Sequence, residues 1–145
     1  RDSIVRLDSV NSSSPMTDIT LLTAARHAFD QFAEGWITGN FEPYIALLAD
    51  EMTFWFPMGT HRGKFEGAVG RQQMIAKCHD HTTAGDRLTL HAPQYVLSDG
   101  NSVMFEFEAE GNYAGQPYRG HNAIAFEMRG HQVIGFREYF GDLGQ

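Results

Sequence analysis

The most regular pattern in the chain lies between Ser102 and Phe140. Val103, Phe105, Phe107 and Ala109 fall on one parity and Glu106, Glu108 and Glu110 on the other, so a two-residue period predicts a strand with one apolar and one charged face. After Ala114-Gly115, the run from Gln116 to Arg129 predicts a second strand, with Asn122, Ile124 and Phe126 in phase. Gly130-His131 turns the chain into a third strand, in which Ile134, Phe136 and Phe140 share a parity with Glu138. This spacing puts an acid on an apolar face, which costs several kcal/mol unless the acid is partnered or neutral.

The first half of the chain changes period. Leu22, Ala25, Phe29, Phe32 and Trp36 recur at three- and four-residue steps and predict a helix capped by Thr17 or Asp18 and stopped at Gly39-Asn40. A short helix follows from Phe41 to about Ala49, with Pro43 in its first turn and Tyr44, Ile45, Leu47 and Leu48 against the first helix. Met52 to Phe56 predicts a strand ended by Pro57, and the glycine-rich stretch from Met58 to Gly70 a loop or twisted hairpin. A third helix runs from Arg71 to about His81, with Met74, Ile75 and Cys78 inside. Leu88 to Ser98 predicts a long strand in which Pro93 demands an edge or a bulge, and Asp99-Gly100 a hairpin turn. The order implies an α+β fold, with three helices from the N-terminal half against one face of a curved antiparallel sheet.

Residues 1–16 mix charge with Asn11-Ser12-Ser13-Ser14-Pro15 and read as a flexible leader, so residues 17–145 are expected to form a single domain. Asn11-Ser12-Ser13 matches a glycosylation acceptor by pattern only. Composition narrows the function classes. A net charge of -7 argues against nucleic acid or an anionic membrane as the main partner, since phosphate contacts need clustered Lys and Arg. The apolar runs are too short to span a bilayer. A lone cysteine, Cys78, excludes an internal disulfide and fits a reducing cytoplasm. The 11 Phe, 5 Tyr and 2 Trp predict a thick core or an aromatic-lined cavity.

Glu138 is the leading candidate for chemistry. Apolar surroundings disfavour the charged form of a carboxyl and tune it as an acid or base near neutrality. The structural alternative is an ion pair with Arg119, Arg137 or a histidine. Asn122 shares the parity of Ile124 and Phe126, and its amide could donate to a developing oxyanion. His61 in the glycine-rich stretch and His121 beside Asn122 are candidate proton shuttles. His79-Asp80-His81 suggests a metal site, but helical neighbours two apart do not converge and no third ligand follows, so no metal is expected. The glycines after Phe56 lack the Gly-Lys-Ser or Gly-Lys-Thr of a phosphate loop. Cys78 fits the core, and Trp36, Tyr44, Phe54, Phe56, Met58, Phe105, Phe107, Ile124, Phe126, Phe136 and Phe140 are expected to line a cavity or to pack beside it.

The element order, with Phe136-Arg137-Glu138-Tyr139-Phe140 as the last strand after Gly130-His131-Gln132-Val133, resembles the nuclear transport factor 2-like superfamily and, within it, the SnoaL-like group. That superfamily also contains ketosteroid isomerases, polyketide cyclases and limonene epoxide hydrolases. The resemblance runs from about Thr17 to Leu143 and implies a cone-shaped sheet curled around the helices, an interior pocket, and an outer sheet face that often pairs in a homodimer. The epoxide hydrolases carry an acid two residues after an aromatic in the last strand, matched by Glu138 after Phe136. Their remaining arginine and acid fall on Phe107 and Ala109, so that triad is absent. The base of the ketosteroid isomerases falls on Phe56, before Pro57 and Gly59, and is absent too. The resemblance then implies a pocket for an apolar, cyclic small molecule, without a cofactor, in which Glu138 serves acid-base isomerisation or cyclisation. A binding or dimerisation module of the same fold without catalysis is the other reading.

Overall fold

In the computed structural model, which describes residues 18–142, helix α1 spans Asp18–Thr38 and lies across the inner face of the sheet. Its buried stripe is Leu21, Ala25, Ala28, Phe29, Phe32 and Trp36. Leu21 takes the place expected for Leu22, which is exposed because it stands one position outside the stripe. Gly39 ends the helix with φ of 83° and its N–H on the Gly35 carbonyl. The expected cap at Thr17 or Asp18, the leader and the glycosylation pattern lie outside the described side chains.

Helix α2, Glu42–Ile45, is a single turn holding Pro43 and burying Tyr44 and Ile45. It stops short of the expected Ala49 because the sheet takes over the chain. Strand β1 begins at Leu48 and runs to Phe56, and the Val133 N–H donates to the Leu47 carbonyl just before it. The glycine-rich stretch is the twisted hairpin, with β2 (Gly63–Phe65) antiparallel to β1. Helix α3 spans Gly67–Ala84, longer at both ends than its apolar residues indicate.

Five strands follow: β3 (Arg87–Leu90), β4 (Tyr95–Asp99), β5 (Ser102–Tyr113), β6 (Gln116–Arg129) and β7 (Gln132–Asp142). They join β1 and β2 in one curved sheet of order β2-β1-β7-β6-β5-β3, with β4 also on β5. The β4-to-β7 meander is antiparallel as its turns dictate, whereas β1 and β7 pair in parallel. The sheet is therefore mixed where the sequence suggested antiparallel pairing throughout. A pair joined through most of the chain is not held to the antiparallel geometry that a hairpin imposes.

Two irregularities shape the inner face. The expected Leu88 to Ser98 strand is divided around Pro93. Leu90 faces Ala109 and Tyr95 faces Glu106, so the edge bulges where proline cannot donate to the ladder. In β7, Glu127 of β6 faces Gly135 while Met128 faces Val133, leaving Ile134 as the extra residue of a bulge. Val133 is therefore fully buried and Ile134 only partly, which corrects the inner placement expected for Ile134. Beyond the bulge, the parity of Phe136 and Glu138 holds.

Core packing is dominated by rings. Phe29 of α1 meets Phe105 and Phe107 at 5.1 and 5.2 Å between centroids, and Phe32 meets Tyr44 at 4.9 Å and Phe136 at 5.6 Å. These tilted and edge-on contacts match the quadrupole preference of aromatic pairs. They fix α1 against the inner face of the sheet, beside α3, which packs on β1.

Candidate active site

A cavity of about 360 Å³ opens between α1, α3 and the concave sheet, within the range of small-molecule pockets. Trp36, Phe56, Leu88, Leu90, Phe107 and Ala109 form its apolar wall, with Met58 and Phe140 among its more exposed members. Of the residues expected to line it, Trp36, Phe56, Met58, Phe107 and Phe140 do so. Tyr44, Phe54, Phe105, Ile124, Phe126 and Phe136 are instead consumed by core packing under α1 and α2.

Glu138 projects into this cavity from β7, opposite Ile124 of β6, and is 6% exposed. Its Oε1 has no hydrogen-bond partner among the described residues, and the ion pair considered with Arg119, Arg137 or a histidine does not form. Burial pushes its carboxyl from 4.5 up to about 7, against a smaller downward pull from Lys77. Desolvation outweighs attraction, so the acid is poised between its two protonation states at neutral pH.

Lys77 was not picked out in the sequence. It is 2% exposed, lines the cavity, and holds its Nζ 4.5 Å from the Phe56 ring centre and 5.3 Å from that of Trp36. Aromatic faces compensate a desolvated ammonium through their quadrupoles. The sequence did carry a signal: Met74, Lys77, Cys78 and His81 follow the three- and four-residue steps of one helical face.

His81 enters the same cavity from the last turn of α3. Gly85, with φ of 80°, closes the helix in a Schellman turn, in which the Asp86 N–H donates to the His81 carbonyl and the Gly85 N–H to that of Thr82. The turn folds Asp86 back, so its Oδ2 accepts from His81 Nδ1 at 2.9 Å while its Oδ1 accepts from the Ala114 N–H at 2.9 Å. Burial and Lys77 push His81 down to about 4, outweighing the upward pull of Asp86. Neutral imidazole with its proton on Nδ1 leaves a lone pair on Nε2.

Asn122 is 3% exposed, lines the cavity, and its amide is held by the Tyr118 hydroxyl four residues earlier on the same face of β6. The other histidines do not join the site. His61 is fixed outside it, with Nδ1 on Gln73 and Nε2 2.7 Å from Asp80. His121 points to the outer face, bonded to Glu106. His79 turns to Glu42, so the His79-Asp80-His81 triplet diverges in three directions as its helical spacing requires. Cys78 is buried and its thiol is pushed up to about 12, mainly by burial, so it packs rather than reacts.

Comparisons with known proteins agree with this architecture. The SnoaL-like domain model matches residues 29–137. An NTF2-like protein from Anabaena variabilis ATCC 29413 is 30% identical with a TM-score of 0.78, covering 89% of this chain and 96% of that one. A protein named as a SnoaL-like polyketide cyclase from Jannaschia sp. CCS1 is 18% identical with a TM-score of 0.63, covering 86% and 89%. An epoxide hydrolase from M. tuberculosis is 16% identical with a TM-score of 0.59, covering 81% and 83%. The last two share the fold. Comparison with curated proteins gives no match. Through the family match across most of its length, the chain belongs to the SnoaL-like domain family.

Proposed function

We propose that the cavity binds an apolar, cyclic small molecule and that Glu138 moves a proton at a carbon beside a carbonyl, leading to isomerisation or cyclisation. One observation carries this reading. A carboxyl oxygen is buried without a partner in a cavity that has room for a ligand. An orphaned buried polar atom costs about 1 to 3 kcal/mol, and such a cost persists where function requires it. His81, held in one tautomer by Asp86, supplies a second proton acceptor, while Asn122 and Lys77 supply donors for an oxygen that gains charge.

Hydrogen–deuterium exchange tests the reading without knowledge of the natural substrate. In D2O with 2-tetralone as probe, the protein should accelerate exchange at the carbon beside the carbonyl, and Glu138→Gln should lower that rate about a hundredfold or more. Unchanged exchange in a folded Glu138→Gln variant would remove Glu138 from the chemistry.

The outer sheet face, with Arg137, Tyr139, Glu106 and Glu108, is proposed to pair in a twofold homodimer. Sedimentation showing only the 16.3 kDa species at high concentration would contradict this. Among the described residues no helix is long and apolar enough to cross a membrane.

A further inference from the structure

We infer that the cavity selects a flat ring bearing an acidic oxygen, bound as its anion with that oxygen at Lys77 Nζ. This rests on the proposed ligand-binding role of the cavity and narrows the class of molecule it takes.

Most of the exposed wall of the cavity is apolar, yet a lysine side chain reaches it from α3 and joins His81, Asn122 and Glu138. Burying an ammonium is costly unless a charge or dense hydrogen bonding answers it. Among the described residues, Lys77 forms no ion pair, and its closest compensation is the faces of Phe56, Trp36 and Phe32 at 4.5 to 5.9 Å. Aromatic faces return only part of the lost hydration.

The other ionisable groups do not balance the charge. Glu138 shares the cavity but forms no ion pair with Lys77, and its Oε1 stays unpartnered. Asp86 is already engaged by His81 Nδ1 and the Ala114 N–H. His81, Cys78, Tyr44, Tyr113 and Tyr118 are the remaining titratable groups that share the cavity or couple to Glu138. None is an anion while the tyrosines and the thiol keep their protons. Asp86 keeps its negative charge but stands behind the lining with both oxygens engaged, so among the lining residues Lys77 is the one cation facing the hollow, and only an ionised Glu138 would balance it there.

An anionic oxygen answers both defects. It pairs with Lys77, and the protonated Glu138 can donate its O–H to the same ligand. The flat ring is selected by the Trp36, Phe56 and Phe107 walls. Anion binding is then coupled to proton retention by Glu138, so affinity falls as pH rises through the range where that acid ionises.

Calorimetry with 2-naphthoate and its uncharged isostere 2-naphthamide decides the matter. At pH 6, naphthoate should bind at least tenfold more tightly than naphthamide. Lys77→Met should reduce this preference to under threefold, by weakening naphthoate more than the amide. In the wild-type protein, naphthoate should weaken several-fold between pH 6 and pH 8 and naphthamide should not, a comparison that stands even if Lys77→Met fails to fold. Equal affinity for acid and amide, or a preference that survives Lys77→Met, overturns the anion inference while the ligand pocket stands. Failure of both rings to bind at millimolar concentration overturns the pocket reading as well.

Discussion

Lys77 of α3 and Glu138 of β7 reach one cavity, one from a helix and one from the sheet, and do not form an ion pair, although Lys77 draws the Glu138 carboxyl downward. A direct pair would have ionised the acid. Separation lets burial dominate, and Glu138 rests near 7.

This raised value makes the protein less stable at high pH. Folded Glu138 holds its proton more tightly than the unfolded chain does, with midpoints of about 7 and 4.5. The stability it contributes is complete below the lower value and is lost as pH rises through the upper one, roughly 3 kcal/mol in all. Denaturant titrations of wild type and Glu138→Gln at pH 5 and pH 8 should differ in their pH dependence by about 2 to 3 kcal/mol, wild type losing more. Parallel behaviour would mean that Glu138 titrates normally.

Removing the ammonium should drive Glu138 further up, because Lys77 is the counterweight to desolvation. In Lys77→Met, a substitution close in volume, the midpoint of the Glu138 carboxyl should move above 7 when followed by its infrared C=O band. A midpoint that falls would show that the two groups do not interact as described.

Asp86 should set the His81 tautomer. His81 has its folded value depressed from 6.5 to about 4, so the stability it contributes is present above 6.5 and is lost as pH falls through 4. Nitrogen NMR at pH 6 should show the proton on Nδ1 and none on Nε2. Asp86→Asn replaces one of two acceptors by a donor, leaving either His81 Nδ1 or the Ala114 N–H unanswered, at a cost of about 1 to 3 kcal/mol. The variant should also lose the fixed tautomer. Retention of both properties would make Asp86 a bystander.

Gly70 is where α3 touches the sheet. A Cβ there would stand 1.9 Å from the Met52 carbonyl oxygen, which belongs to rigid backbone. Gly70→Ala should therefore push α3, and with it Lys77 and His81, away from β1, costing about 1 to 3 kcal/mol or more in denaturant unfolding. An unchanged midpoint would contradict this close contact.

The sheet meander was legible because alternation in β5 to β7 is enforced by one buried and one wet face, and Glu138 and Asn122 were found by the same parity. The parallel β1 and β7 pair, the early end of α2 and the bulge at Ile134 depend on contacts far along the chain, which no local period records. Lys77 was missed, and His81 was weighed only within a metal triplet, for a different reason. The inner face of α3 is half polar, so reading only Met74, Ile75 and Cys78 concealed residues that lie on that same face. Asp86 reaches His81 only through the turn at Gly85, a relation visible in three dimensions and obscure in the string.

The central claim is that Glu138 is a buried, unpaired acid inside a ligand cavity. Carbon NMR of protein labelled at the glutamate carboxyls, with Glu138→Gln to identify the signal, tests it most directly. One resonance should titrate with a midpoint at about 7 and vanish in the variant. If the Glu138 resonance instead titrates at the ordinary 4.5 of a solvated glutamate, the carboxyl is not desolvated and the account fails.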